Sequence, residues 1–369
     1  MTNTQNSVDK ANPLPRYLQV RRILEQTIRS GKYGPGARLP GEREIARELN
    51  VSQMTVNRAL LALVQDGWLH REVGNGTFVR EDFRPPLPTT LRIGFVAPIR
   101  SDHILNDHYL GALFRGIQRA VVNESISLSL LEAPEDGLWD RLSAAEMDGF
   151  LIAAISERGI PDLLRLDRAG IRAVVIGVSW EALSLPFVDS DNYSGTEAAV
   201  RHLIQQGHRH IAGAFAYMGS CHTQHRLQAF RDTLKDHGIP LPEEHVLTFE
   251  NTAFLAKAIE PRVLDVLQHA EPPTAFFCGG FDLAVEAMAA IRQFGKQIPQ
   301  DISLIGFDDQ VGASLLTPLT TVRQPLHTIG QMAMEKVLTW LRTGVRPNQA
   351  DILPTELILR ESVATLSSR

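Results

Sequence analysis

The stretch VSQMTVNRAL, residues 51–60, decides how the first part of the chain reads. Ser52 is a favoured helix N-cap, and behind it Val56, Leu60 and Leu63 recur on one face of a helix expected from about Gln53 to Asp66. The side chains left outward are Gln53, Met54, Thr55, Asn57 and Arg58. Gln and Asn suit adenine, and Arg suits guanine or phosphate. Taken one at a time, each is equally well explained as part of a solvated helix face, so the surroundings have to decide.

Upstream, Tyr17, Val20, Ile23, Leu24, Thr27 and Ile28 repeat at helical spacing until SGKYGPGARLP, with three glycines and two prolines, breaks the pattern. GEREIARELN then predicts a second helix, with Ile45, Ala46 and Leu49 on one face and acidic residues in its first turn, where the helix dipole favours them. Two short helices separated by a tight break make a helix-turn-helix, whose second helix enters the major groove by its N-terminal end. Downstream, WLHREV and TFVR alternate as strands around Gly74, Asn75 and Gly76, a hairpin signal. A hairpin beside a helix-turn-helix is a wing. The GNG triplet is not a nucleotide loop, because no helix follows it.

Residues 14–80 resemble the winged helix of the gluconate-repressor (GntR) family, with LPGEREIARELNVSQMTVNRALLALVQDGWLHREVGNGTFV matching its pattern nearly end to end. MTVNRAL looks most like the histidine-utilisation-repressor branch. The resemblance implies that Arg43, the segment from Ser52 through Gln53, Met54, Thr55, Asn57 and Arg58, and the wing residues Gly74, Asn75 and Gly76 meet double-stranded operator DNA. Many members carry Arg where this chain has Gln53, and often another in place of Asn57, so the usual operator does not carry over.

Charge agrees with a division of labour. The 369-residue chain has a formal charge of −5, yet residues 14–84 carry 12 Lys/Arg against 8 Asp/Glu while residues 85–369 carry 24 against 33. A basic head on an acidic body suggests that only the head meets a polyanion. REDFRPPLPTT, with three prolines, reads as an extended spacer. The expected organisation is a tail over 1–13, a DNA-binding head over 14–80, a Pro-rich linker over 81–90 and a ligand-binding and dimerisation body over 91–369.

In that body LRIGFVAP, SISLSLLEA, DGFLIAAI, AVVIGV, HIAGAFA, TAFFCGG and SLIGFDD are short apolar runs, mostly separated by helix-length segments. This rhythm predicts an α/β fold with parallel sheets in two lobes. Ligands of open α/β sheets bind outside the carboxyl ends of strands, here near Ile99, Ala216, Gly279 and Asp308. Those loops offer Asp102, His103, Asn106, Asp107 and Tyr109, then Arg226, then Phe281 and Asp282. Asp282 is suited to capping its helix, to binding ligand, or to both, and Phe281 and Trp180 are suited to stacking on a sugar ring.

The body resembles the effector domain of the lactose-repressor (LacI) family, itself similar to periplasmic binding proteins, over roughly residues 91–362. The matching segments include DSDNYSGTEAAVRHLIQQGHRHIA, PTAFFCGGFDLAVEAMAAIRQFGKQIPQDISLIGFDD and PTELILRES. By that resemblance Arg226 and Asp282 fall where ligand hydroxyls are contacted, and the chain crosses between lobes near 189, 322 and 348. Phe281 stands where the family often has Asn, and NDHY replaces a frequent Asn-Pro-aromatic triplet, so the ligand is not carried over.

No nucleophile elbow, phosphate loop or dinucleotide fingerprint is present, so no enzyme and no cofactor is expected. His202, His208, His210, His222 and His225 are dense, but they lack companion ligands at motif spacing, and no metal is expected. FDD at Phe307 to Asp309 reads as a strand-end turn stabilised by Asp side chains. The N-terminus has no apolar signal core and no run approaches the roughly 20 apolar residues of a membrane span, so a cytoplasmic homodimer is expected. The expected function is a transcriptional regulator, a repressor answering to a sugar-like effector. The alternatives are a constitutive DNA-binding protein with a vestigial pocket and a sugar-binding protein of a transport system.

Overall fold

The computed structural model describes residues 8, 15–29, 31–72, 74–82, 90–98, 107–122, 124–134, 136–177, 180, 183–249, 255–309 and 311–366. The chain separates into two compact units, residues 1–89 and 90–369. All but Val8 of the expected tail, and residues 83–89 of the expected linker, lie outside the described residues.

In the first unit α1 (Arg16–Arg29), α2 (Glu42–Glu48) and α3 (Gln53–Gln65) surround Val20, Leu24, Ile28, Ile45, Leu49, Val56, Leu60 and Leu63. Ser52 caps α3, its hydroxyl accepting the Thr55 backbone N–H at 3.2 Å. The break between α2 and α3 turns at Asn50, whose φ of +51° lies in the left-handed region that Asn tolerates. The strands β1 (Leu69–Glu72) and β2 (Gly76–Val79) pair antiparallel from Leu69↔Val79 to Glu72↔Gly76, and Arg38 bridges to Phe78 on the outer edge of β2.

The second unit holds two parallel sheets. The first lobe has the order β13 (Ala350–Leu353), β7 (Phe187–Ser190), β6 (Ala173–Ile176), β5 (Gly149–Ala153), β3 (Leu91–Ala97) and β4 (Ile126–Glu132). The second lobe runs β14 (Glu356–Ile358), β12 (Thr320–Arg323), β11 (Ser303–Phe307), β10 (Ala275–Cys278), β8 (Ile211–Ala216) and β9 (Val246–Phe249), with only β14 antiparallel to its neighbour. Helices α4 (His108–Ala120), α5 (Leu138–Ala144), α6 (Ile160–Arg168) and α11 (Leu326–Thr343) cover the first lobe. The second is covered by α7 (Asn192–Gln205), α8 (Cys221–Asp236), α9 (Leu255–Leu267) and α10 (Phe281–Gln293).

The two cores are built differently. In the first lobe α4 and α11 cross backbone to backbone, because Gly116 and Gly330 face each other's helices. A Cβ on Gly116 would lie 2.1 Å from the His327 carbonyl oxygen, and one on Gly330 would lie 2.2 Å from that of Leu113. The second lobe centres on Phe215, Phe230 and Phe277, whose ring centroids are 5.5–6.0 Å apart.

The chain passes between lobes at Asp191, at Gln324–Pro325 and at 354–355. The last crossing corrects the position near 348, because Ala350–Leu353 first pairs with β7 in the first lobe. That four-residue strand alternates exposed and half-buried positions and so lacks the apolar run that marks the central strands. Among the described residues no helix is long and apolar enough to cross a membrane.

Candidate nucleic-acid interface and interlobe site

The first turns of α3 carry Gln53, Met54 and Arg58 into solvent, and Met54 is 82% exposed. Arg58 stacks on the Tyr17 ring, its guanidinium carbon 4.0 Å from the ring centre, which holds a flexible cation near the helix surface. Thr55 is half-buried, with its hydroxyl 2.7 Å from that of Ser52; the Ser52 side chain is thus engaged in the cap. Arg43 lies exposed on α2. At the wing Gly74 and Gly76 take φ values of +77° and +125°, which glycine alone adopts without strain, and exposed Asn75 donates to Glu72 at 2.6 Å.

Three residues of this surface were not singled out by the sequence reading. Glu42, at the start of α2, accepts from Asn57 Nδ2 at 3.0 and 3.2 Å, from Gln53 Nε2 at 3.4 Å and from Arg71 Nη2 at 2.8 Å. One carboxylate therefore joins α2, α3 and the wing. Arg38 lies exposed with its guanidinium over Gly76, where a Cβ would come within 3.0 Å of Nε. A concave surface of about 350 Å³ between the start of α2 and the wing is lined by Arg38, Gly41, Glu42, Arg71, Gly74 and Gly76, among others.

In the second unit residues at and beyond the carboxyl ends of both sheets come together. Arg226, on α8, is 4% exposed there. It donates from Nε to Asn192 Oδ1 at 2.8 Å and from Nη1 to the Gly279 carbonyl at 2.7 Å, and its guanidinium carbon lies 3.6 Å from the centre of the Phe307 ring. Asp189, Asp308 and Tyr109 surround it electrostatically. Asp189 is buried at the end of β7 and accepts the Ser190 N–H at 2.7 Å; burial, only partly offset by that bond and by Arg226, raises its pKa to about 7. Asp308, at φ +75° just beyond β11, is likewise pushed up by burial and drawn back by Arg226. Burial lowers the pKa of Arg226, against the pull of Asp308, Tyr109 and Asp189, and drives His222 down to about 3, so that imidazole is neutral.

The crossings are wired to this cluster. Ser190 Oγ donates to Gln324 Oε1, and Gln324 Nε2 donates to Asp308. Ser190 and Gln324 lie at two interlobe connections, so a hydrogen-bond chain joins Asp308 to both. The lobes also meet directly. The His108 ring packs edge-on against Phe281 with centroids 5.1 Å apart, Glu157 donates its N–H to the Gly219 carbonyl at 2.9 Å, and Cys221 Sγ lies 3.7 Å from the Gly177 carbonyl oxygen. Gly177 leaves room for the Tyr109 hydroxyl, since a Cβ there would sit 2.3 Å from it.

Of the residues expected to line the cleft, Tyr109, Arg226 and Phe281 are brought together, while Asp102 and His103 lie outside the described residues. Asp282 is exposed in the first turn of α10, and it does not cap that helix; the N-cap is Gly280, without a side-chain bond. Trp180 packs on the first-lobe core. The FDD pair divides its labour: Asp308 joins the cleft, and Asp309 is clamped by Arg360 at 2.6 and 2.9 Å and by Arg323 at 2.7 and 3.0 Å. Asp189, Asn192 and Gln324 were missed as cleft residues, and Asp308, at the start of a loop expected to meet ligand, was read as a turn former; for the two aspartates a carboxylate at the carboxyl end of an apolar strand was the available signal. His208 is structural, bonded to Thr274 at 2.9 Å and to the Ala364 carbonyl at 3.2 Å; among the described residues no three His, Cys, Asp or Glu side chains are placed to share a metal.

Residues 16–79 match the profile of the bacterial regulatory proteins of the gntR family, and residues 200–363 match that of the periplasmic binding protein-like domain. Over 366 residues the chain is 31% identical to the arabinose metabolism transcriptional repressor of Geobacillus stearothermophilus, covering 96% of this chain and 99% of that protein. A protein of the same name from Halalkalibacterium halodurans is 25% identical, over 96% and 98% of the two chains. The solved structure of a LacI family transcriptional regulator from Enterococcus faecalis with bound ribose aligns with a TM-score of 0.63 at 25% identity, over 75% of this chain and 100% of that one. The gntR profile is one of regulatory proteins, and both full-length relatives are named as transcriptional repressors. The chain belongs to the gntR family of bacterial regulatory proteins, in the form that joins the winged helix to a lactose-repressor-type, periplasmic-binding-protein-like effector domain.

Proposed function

We propose that the protein is a transcriptional repressor whose hold on operator DNA is changed by a small polyhydroxylated effector bound between the lobes. The carrying observation is the Arg226 cluster: one guanidinium and Asp189 buried, with half-buried Asp308 beside them, where both lobes meet. Burying such groups is costly unless they are bonded, and a ligand rich in hydroxyls supplies donors to the carboxylates and acceptors to the guanidinium together. Tyr109 and the His108–Phe281 pair add flat apolar walls suited to the faces of a sugar ring. Relatives named for arabinose metabolism, and a neighbour holding ribose, make aldopentoses the first ligands to try.

An effector that touches both lobes binds the closed form more tightly than the open one and so shifts the population toward closure. The head works as one half of a dimer, with α3 in the major groove, the wing beside it, and Arg43, Gln53, Met54, Asn57 and Arg58 at the DNA surface. Two heads on one duplex must match half-sites about one helical turn or a multiple apart, so a modest relative rotation costs affinity. A thermal-shift screen of aldopentoses, hexoses, nucleosides and polyols, followed by operator gel shifts with each hit, tests the reading. A sugar that raises the melting temperature and alters the shift supports it; a stabilising sugar that never alters DNA binding contradicts the switch.

A further inference from the structure

We infer that Glu42, which does not itself reach for a base, fixes which base the reading helix prefers, by orienting the amide of Asn57. The inference rests on the DNA-reading function proposed above. An ionised carboxylate only accepts hydrogen bonds, so the end of the Asn57 amide held by Glu42 Oε1 and Oε2, at 3.0 and 3.2 Å, is the NH2 end. The carbonyl Oδ1 is thereby turned the other way. Gln53, one helical turn earlier on the same face, presents its own NH2 to the same carboxylate at 3.4 Å. Arg71 of the wing donates to Glu42 at 2.8 Å and supplies the counter-charge a carboxylate needs close to phosphates. With side chains 24% and 33% exposed, Glu42 and Arg71 form a partly sheltered brace.

The consequence follows from the major-groove edges of the bases. Adenine offers an amino donor beside the N7 acceptor, and an asparagine with its oxygen outward satisfies both when a single N–H serves the two carboxylate oxygens and the other N–H reaches N7. Cytosine offers the amino donor alone. Guanine and thymine present acceptors, O6 with N7 and O4, to an oxygen that Glu42 does not let turn away. The order at the base pair facing Asn57 is therefore adenine, then cytosine, then guanine and thymine. The acceptor-only carboxylate and the amide act as one unit.

The test is selection from a randomised duplex library by the full-length chain, comparing the wild type with Glu42→Gln, Asn57→Ala and the double variant, with the melting temperature of each protein recorded. In the wild type we expect adenine over guanine by about tenfold at one position of each half-site. In E42Q, whose amide both donates and accepts, Asn57 is free to turn over, and that ratio should fall to about threefold or less while other positions keep their preferences. N57A should lose the same preference, and E42Q in the N57A background should lose nothing more, the signature of two residues acting as a unit. Unchanged preference at every position in a folded E42Q overturns the proposal. If E42Q does not fold, unchanged preference in N57A, which leaves the Glu42–Arg71 pair intact, overturns it as well. A wild-type protein that enriches no sequence overturns the DNA-reading function, and the proposal falls with it.

Discussion

The proposed reading face of the head and the proposed effector site of the body use the same kinds of side chain under opposite conditions. On the head Gln53, Met54 and Arg58 stand in water, and the protein spends little to keep them there. In the body Arg226, Asp189 and Asn192 are each less than 5% exposed, and every polar atom has to find a partner or wait for one. A surface reading site is thus free to change its sequence preference one residue at a time. A buried effector site is coupled to the stability of its own domain.

The largest expected effect of that difference is at Arg226. Arg226→Ala removes the counter-charge of buried Asp189 and half-buried Asp308 and should destabilise the body by about 3–5 kcal/mol, as removal of one partner of a buried pair does. Denaturant unfolding measures this, and a loss below about 1 kcal/mol would mean that the cluster is wetter than its burial implies. Asp189→Asn comes next and has the opposite sign. Asp189 titrates near 7 when folded against an ordinary 3.8, so between those values the folded chain keeps a proton that the unfolded chain has released. Its contribution to stability is therefore lost as pH rises from about 4 to about 7, with burial setting the midpoint against Ser190, Arg226 and Asn192, and Asp191 adding to it. The asparagine variant lacks this slope. It should be more stable than wild type by about 4 kcal/mol at pH 8, with the gap closing as pH falls to about 4, while its effector affinity falls. A gap independent of pH would assign the effect to packing.

Head substitutions should leave stability within about 0.5 kcal/mol, because the side chains are exposed. Arg58→Ala is expected to weaken all duplexes by about five- to tenfold and to lower the salt dependence of binding by about one phosphate contact, read by fluorescence anisotropy at several salt concentrations. Gln53→Ala should have the smallest effect, a relaxed preference at one base pair with little change in mean affinity. Were either to lower the melting temperature as Arg226→Ala does, the contrast between the two regions would be lost.

The same contrast explains what was legible in the sequence. The winged helix shows plainly because its signals are local: Ser52 as cap, Val56, Leu60 and Leu63 at helical spacing, Gly74 and Gly76 at a turn. The central strands show equally plainly, as uninterrupted apolar runs such as Phe276 to Cys278. Phe187 to Ser190, which includes Asp189, and Ala350 to Leu353, which alternates, did not, since four such residues carry too little apolar pattern. The cleft was half legible. Arg226 and Tyr109 were found in loops and helix starts, whereas Asp308 was read as turn chemistry because nothing local distinguishes it from Asp309. Its partner Gln324 is 16 residues away, and Ser190 lies 134 residues from Gln324. Glu42 escaped for the same reason, since its grip on Asn57 spans 15 residues and its grip on Arg71 spans 29. Local chemistry is written in order along the chain, and side-chain networks between elements are not.

The central claim, that closure of the body on an effector is felt by the head, is tested most directly by one titration. Operator affinity of the full-length chain is measured by anisotropy against rising concentrations of a sugar that stabilises the body. The account predicts a change in Kd of at least about tenfold, complete at the concentration that saturates the body and absent when Asp308 is replaced by Ala. An operator Kd that stays the same at saturating sugar would contradict it.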